Sequence, residues 1–246
     1  MDLYFVTIPS IALLALLALR RRYLTPRGTV VAVAVGSAVA LAHTGLFVLM
    51  ALFFVSSSAL TRLRAEWKKA MGLKDVSGRS LRQVFGVGTP IALYALLYVA
   101  TGRQEFLGAA AVSTAVATAD TWASEVGVAY GGVPRYVIAP WRRVEPGVSG
   151  GVTLVGMLSS LAGAVFIGAS AQALGVAAPF WLVAALGYLG ELLDSVVGAL
   201  LQVKYVCGGR IYETPLPGCM KKGLVSNEAV NLISGLAAGA LYIYLS

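Results

Sequence analysis

Apolar residues run in long uninterrupted blocks separated by short clusters of charge, Tyr4–Leu19 being the first block and Leu224–Leu245 the last. A helix that crosses the hydrocarbon core of a bilayer needs about 20 apolar residues, with a range of roughly 17 to 25. Runs at 4–19, 29–43, 45–61, 82–101, 106–125, 151–173, 179–201 and 225–245 predict eight such helices. The second and third are broken only at His43-Thr44-Gly45, so one long helix is the competing reading. Basic loops favour the cytoplasm. With eight helices and the N-terminus outside, loops 20–28, 62–81, 126–150 and 202–224 all face that side. These loops and the adjoining helix ends hold 18 of the 19 Lys and Arg residues, leaving Arg103 outside. A merged helix would set Arg20–Arg27 and Arg62–Arg82 on opposite sides. The pattern therefore predicts an all-α, polytopic transmembrane bundle forming a single domain over 1–246. Its active face, built by loops 62–81, 126–150 and 202–224, is expected at the cytoplasmic side of the cell membrane.

Composition agrees. Hydrophobic residues make up 58% of the chain, charged ones 12%, and mean hydropathy is +0.81. A soluble domain carries about twice that charge. The net charge of +8 is accounted for by cytoplasmic loops facing anionic lipid headgroups, without a nucleic-acid partner. No basic residue precedes Tyr4–Leu19, whereas Arg20, Arg21 and Arg22 follow it, so it reads as a retained first helix and not a signal peptide. Cys207 and Cys219 are the only cysteines and lie far from the single histidine, His43. They are too few for structural zinc. A disulfide and a pair of reduced thiols both remain open.

Ionisable groups inside apolar segments are costly and mark function by default. The acidic ones are Asp120, Glu125, Glu191, Asp194 and Glu228, all toward the helix ends expected on the cytoplasmic side. In the stretch 119–127, Asp120 and Ser124 share a helix face, as do Thr121 and Glu125. Asp120 and Glu125 lie about 140° apart on an ideal helix, so both reach one ligand only if the helix distorts or ends near Gly127. Along 187–202, Gly187, Glu191, Asp194, Gly198 and Gln202 form one stripe. Two carboxylates flanked by glycines suit a hydrated Mg²⁺, which takes one or two carboxylates plus substrate phosphates. Pairing with a basic side chain across the bundle explains the same stripe. Asn227 and Asn231, the only asparagines, share a face with Ser234. Their amides suit phosphate or metal-bound water, or hydrogen bonding between helices.

Pro146-Gly147-Val148-Ser149-Gly150-Gly151 is expected to open a helix at 151 and to offer free N–H groups to an anion, with Arg142 and Arg143 just upstream. Tight packing would require such a turn as well. Arg79, Arg82 and Gln83, in the basic segment 74–84, suit phosphate oxygens or lipid headgroups. There is no Walker motif and no histidine or cysteine beside these groups. The set fits Mg²⁺-dependent phosphoryl transfer, in which a protein mainly positions groups and neutralises charge.

The same residues carry a resemblance. ADTWASEVG at 119–127, GVSGGVTLVGMLSSLAGA at 147–164, GELLDSVVGALLQ at 190–202 and NEAVNLISG at 227–235 resemble signature blocks of the domain-of-unknown-function 92 family. That family includes transmembrane protein 19 and the plant and cyanobacterial phytyl-phosphate kinases. GRSLRQVFGVG at 78–88 and SSALTRL at 57–63 are similar to two further blocks, so the likeness runs in order over nearly the whole chain after residue 25. It implies a membrane enzyme that phosphorylates an isoprenoid monophosphate such as phytyl or geranylgeranyl phosphate, with a nucleoside triphosphate, CTP by analogy with relatives, as donor. Carried over by position, Asp120, Glu125, Asp194, Asn227 and Asn231 would serve metal and nucleotide, with Glu191 assisting. Gly147, Gly150 and Gly151 would form the phosphate loop, and Ser124, Arg143 and Ser149 are further candidates for nucleotide or phosphate contacts. Cytidylyl transfer to a lipid phosphate is the neighbouring alternative. A transporter using Asp120 and Asp194 is the alternative from another class.

Overall fold

The computed structural model describes residues 4–70, 78–215 and 217–246; residues 71–77 of the expected 62–81 loop, including Lys74 and Asp75, lie outside them. Nine helices occur among the described residues: α1 Tyr4–Arg20, α2 Pro26–Ala42, α3 Thr44–Thr61, α4 Ala65–Ala70, α5 Leu81–Thr101, α6 Glu105–Tyr130, α7 Leu154–Ala173, α8 Phe180–Leu201 and α9 Asn227–Leu245. All but the six-residue α4 match an expected helix. The break at His43 is real. His43 ends α2 in an extended conformation, and its Nδ1 accepts from Leu46 N at 3.3 Å to cap α3. Burial lowers the basicity of its imidazole, which suits the neutral, accepting form.

The bundle is organised around α6. Every residue from Leu107 to Ala119 is buried, and α6 packs against α3, α5, α7, α8 and α9. Those five are also the helices long and apolar enough to cross a membrane. The eight spans expected from the sequence thus separate into a ring of five, an enclosed α6, and the shorter apolar helices α1 and α2. α6 meets protein on nearly all sides, so its surface is alanine, glycine, serine and threonine, which let neighbouring backbones come close. A Cβ on Gly187 of α8 would lie 2.5 Å from the Ala115 methyl of α6. Hydroxyls add bonds across the contacts: Ser113 Oγ donates to Gly235 O at 3.0 Å, and Tyr94 OH to Leu236 O at 2.7 Å. Neighbours in the ring pack directly on one another, save that α2 packs against both α3 and α5 where these two meet least, with α1 packed chiefly on α2.

The basic loops meet at one end. Arg79 N donates to Tyr23 O at 2.9 Å, Arg64 Nη1 to Ala129 O at 2.6 Å, and Arg142 Nη2 to Gly209 O at 2.6 Å. At the other end Gly45 lies against the Leu174 carbonyl. The loops after α6 and α8 each fold a small antiparallel sheet. One has β1 Arg135–Tyr136, β2 Ala139–Arg143 and β3 Gly151–Val152 in the order β2-β1-β3. The other has β4 Lys204–Cys207, β5 Arg210–Tyr212 and β6 Met220–Lys222 in the order β5-β4-β6. Gly208 and Gly209, at φ 52° and 81°, supply the paired left-handed residues that a two-residue hairpin demands. Cys207 and Cys219 form a disulfide that joins the end of β4 to the residue before β6.

The α6–α8 contact should tolerate no added bulk. Gly187→Leu is expected to destabilise the protein by about 1–3 kcal/mol through overpacking. Leu13→Ala, on an exposed face of α1, is expected to shift stability by less than about 0.5 kcal/mol. Thermal unfolding in detergent, followed by the loss of monodisperse protein, measures both.

Candidate functional site

A cavity of about 850 Å³ opens beneath the loop-bearing end, where α2 bridges α3 and α5. One part of its wall is polar, with Lys68, Arg79, Gln83, Asp120, Glu125, Glu191, Asp194, Asn227 and Asn231. The other part is almost wholly apolar and descends between α1, α2, α3 and α5 past Leu14, Val33, Val87, Met50 and Phe47.

Asp120 and Glu125 both line the cavity although α6 neither distorts nor ends between them. A shared ligand was expected only if the helix distorted or ended near Gly127, but the helix continues to Tyr130 and Gly127 serves the crossing with α7, close to Gly156 and Thr153. The two carboxylates instead face different regions of a wide cavity. Glu125 pairs with Lys68, which reaches in from α4 and is 4% exposed. Asp120 borders a small void of about 10 Å³ together with Asp194, Asn231 and Ser234, roughly one water in size.

The expected stripe on α8 is observed, with Gly187, Glu191, Asp194 and Gly198 buried and Gln202 6% exposed. Its carboxylates diverge. Glu191 accepts from Ser160 Oγ of α7 at 3.0 Å and from Ser195 Oγ at 3.1 Å. Asp194 Oδ2 accepts from Ser234 Oγ of α9 at 2.6 Å, and Asn231 Nδ2 donates to the same oxygen at 3.2 Å and to Asn227 O at 3.1 Å. Asn231 and Ser234 are therefore turned toward Asp194. Ser226 caps α9 through Ala229 N at 3.3 Å and sets Asn227 in the first turn.

The glycine-rich turn does not open a helix at 151. Gly147 and Gly150 take left-handed φ values of 85° and 79°, Gly151 enters β3, and α7 begins at Leu154 with Thr153 as its cap. Gly147, Ser149, Gly150 and Gly151 still line the cavity, and Gly150 packs against Ala199 at the end of α8. Ser149 N donates to Glu213 Oε1 at 2.7 Å, and Gln202 Nε2 to Glu213 Oε2 at 2.9 Å. A carboxylate of this chain thus uses a backbone amide that the sequence reading assigned to an anion.

Of the arginines, Arg79 lines the cavity and lies over the Phe53 and Phe54 rings at 5.8 and 5.9 Å. Arg82 and Arg143 are exposed and outside the lining, since Arg82 leaves the first turn of α5 and Arg143 the edge strand β2 away from it. Gln83 borders the cavity, but its Oε1 closes the α5 capping box on Ser80 N at 2.7 Å. Ser124 borders it too, with its hydroxyl turned back to Asp120 O at 2.9 Å. Sequence reasoning missed Lys68 and Glu213. Lys68 is one of many basic residues in its loop and Glu213 sits in an irregular segment, so neither carried a periodicity signal.

The donors are carboxylates, amides and hydroxyls, the hard oxygen set that Mg²⁺ prefers. Among the described residues no three His, Cys, Asp or Glu side chains gather into a metal cluster. A cation here would need asparagine oxygens, water or substrate phosphates to complete its shell.

Sequence comparison adds the context. The chain is 31% identical to an uncharacterised membrane protein of Methanocaldococcus jannaschii over 98% of its own length and 93% of that protein's. It is 29% identical to Protein PGR of Arabidopsis thaliana over 78% of each chain. It is also 29% identical to the chloroplastic Protein VTE6 of that plant, over 64% of this chain and 50% of that one. No solved structure matches significantly. The family described as integral membrane protein DUF92 matches residues 9–239, and this chain belongs to that family.

Proposed function

We propose that the protein is a membrane-embedded isoprenoid-phosphate kinase that transfers the terminal phosphoryl group of a nucleoside triphosphate, CTP in the first instance, to a lipid monophosphate. The observation that carries this reading is one cavity with both a polar and an apolar wall. A prenyl phosphate has that division: an anionic head and a tail that gains about 0.8 kcal/mol per methylene removed from water. The sequence blocks shared with the phytyl-phosphate kinases support the same substrate class.

In this reading the lipid reaches the cavity laterally, past α1, and its head stops at the polar wall below the loops. The basic loops then face the cytoplasm and the N-terminus lies outside. Lys68 and Arg79 supply positive charge to the phosphates, and the side chains on α6, α8 and α9 orient them. Mg²⁺ would be held by Asp120 and Asp194 with Asn227 or Asn231, Glu125 and Glu191 assisting, and when bound would neutralise charge on the nucleotide phosphates. An oxygen of the lipid phosphate attacks the terminal phosphorus of the nucleotide. The bond to the bridging oxygen breaks, and the nucleoside diphosphate leaves with the electron pair. The attacking phosphate is already anionic at neutral pH, so no general base is required, in keeping with the absence of histidine from the cavity lining.

Purified protein given geranylgeranyl phosphate, Mg²⁺ and γ-labelled CTP is expected to yield a labelled lipid diphosphate. Label retained from α-labelled CTP in a CDP-lipid would replace the kinase with a cytidylyltransferase, and no transfer from any nucleotide would return the transporter reading. Asp194→Asn and Asp120→Asn should each lower kcat by a factor of about 10² or more, the scale of losing one preorganised electrostatic group. Arg143→Ala should stay within about twofold of wild type. Equal losses in all three would mean that the cavity is not the site of reaction.

A further inference from the structure

We infer that the apolar arm of the cavity measures the isoprenoid tail, and that Gly36, Phe47 and Met50 form its floor. This rests on the lipid-phosphate reading above and adds a limit to the tail the site accepts.

Depth follows from helix rise, about 1.5 Å per residue. α2, α3 and α5 each have one end at the loop-bearing face. The deepest cavity-lining residue of α2 is Gly36, about 15 Å from Pro26. On α3 it is Phe47, about 21 Å from Thr61. On α5 it is Ile91, about 12 Å from Gln83. Val39, about one turn beyond Gly36, and Leu46, the next residue beyond Phe47, are fully buried and do not line the cavity, so solid core closes the arm.

Gly36 makes this floor informative. A glycine inside a helix costs roughly 0.5–1 kcal/mol relative to alanine, and elsewhere in this bundle packing accounts for it. A Cβ at Gly108 would lie 2.1 Å from the Tyr242 ring, and one at Gly86 would lie 2.5 Å from Glu228 O. At Gly36 the nearest atoms would be Met50 Cε at 3.5 Å and Phe47 Cε2 at 3.9 Å, ordinary contact distances. Its φ is not left-handed either. Neither packing nor backbone conformation requires glycine there. The missing side chain leaves space at the bottom of the arm, opposite a flexible methionine and a phenylalanine that set how far a tail descends.

The test uses the full-length protein in detergent without nucleotide. Binding of geranyl, farnesyl, geranylgeranyl and longer polyprenyl monophosphates is followed by native mass spectrometry, with thermal unfolding as a check on folding. In the wild type, affinity is expected to rise with each isoprene unit to a limit and then level off. Gly36→Leu should weaken the tail at that limit by about tenfold, what roughly two excluded methylenes are worth, and leave geranyl phosphate within twofold. Met50→Ala should move the limit to a longer tail, and Gly36→Ala, which fits the space, serves should the leucine variant fold poorly. Binding that loses equally at every length, or variants with an unchanged limit, would overturn the ruler while keeping the lipid-phosphate site. No binding of any isoprenoid monophosphate would overturn both.

Discussion

A helix enclosed by five others can meet them only if its side chains are short, and α6 satisfies this from Gly108 to Ala119 with glycine, alanine, valine, serine and threonine. In a bilayer the tails around a bundle are as apolar as leucine, so helices associate through close packing and hydrogen bonding more than by escape from solvent. The tight contact of Gly187 on Ala115 and the bonds from Ser113 and Tyr94 to backbone carbonyls of α9 follow from that constraint. So does the placement of the cavity. α6 and its ring close well on the sides of α7, α8 and α9. Where α3 and α5 meet least, α2 packs against both, and that is where the apolar arm descends.

The same enclosure makes room for carboxylates. An unpaired charge inside a bundle is prohibitively costly, so Glu191 and Asp194 persist because hydroxyls of α7 and α9 reach their oxygens. Lys68 does the same for Glu125 with full opposite charge. These groups stay within hydrogen-bonding or ion-pairing distance of neighbouring helices while they border the cavity. Under the proposed kinase reading these groups would already be held in place when substrate arrives, leaving little reorganisation to do.

Much of the site could be read along the chain. Helical spacing correctly put Glu191, Asp194 and Gln202 on one face, and put Asn231 and Ser234 together on the face that meets Asp194. Spacing set Asp120 and Glu125 about 140° apart on α6, and the cavity is wide enough to border both in different regions. It also placed Arg82 and Arg143 by proximity in sequence, although a residue at a helix start or on an edge strand leaves in a direction the sequence does not specify. The β-units were missed because strands of two to five residues have no measurable period. The Gly208-Gly209 pair was the one local signal for a hairpin.

The membrane character, the succession of apolar helices and the clustering of polar groups toward one end were determined by the sequence itself, since each depends on local hydropathy and on charge counted along the chain. Tertiary structure decided what depends on neighbours distant in sequence. It paired Lys68 with Glu125 across 57 positions, gave Asp194 a partner 40 positions away, and bonded Cys207 to Cys219. It also turned Glu213 onto Ser149 and left the space beside Gly36 unfilled. A void and a long-range pair are properties of packed surfaces, so no periodicity within one helix encodes them.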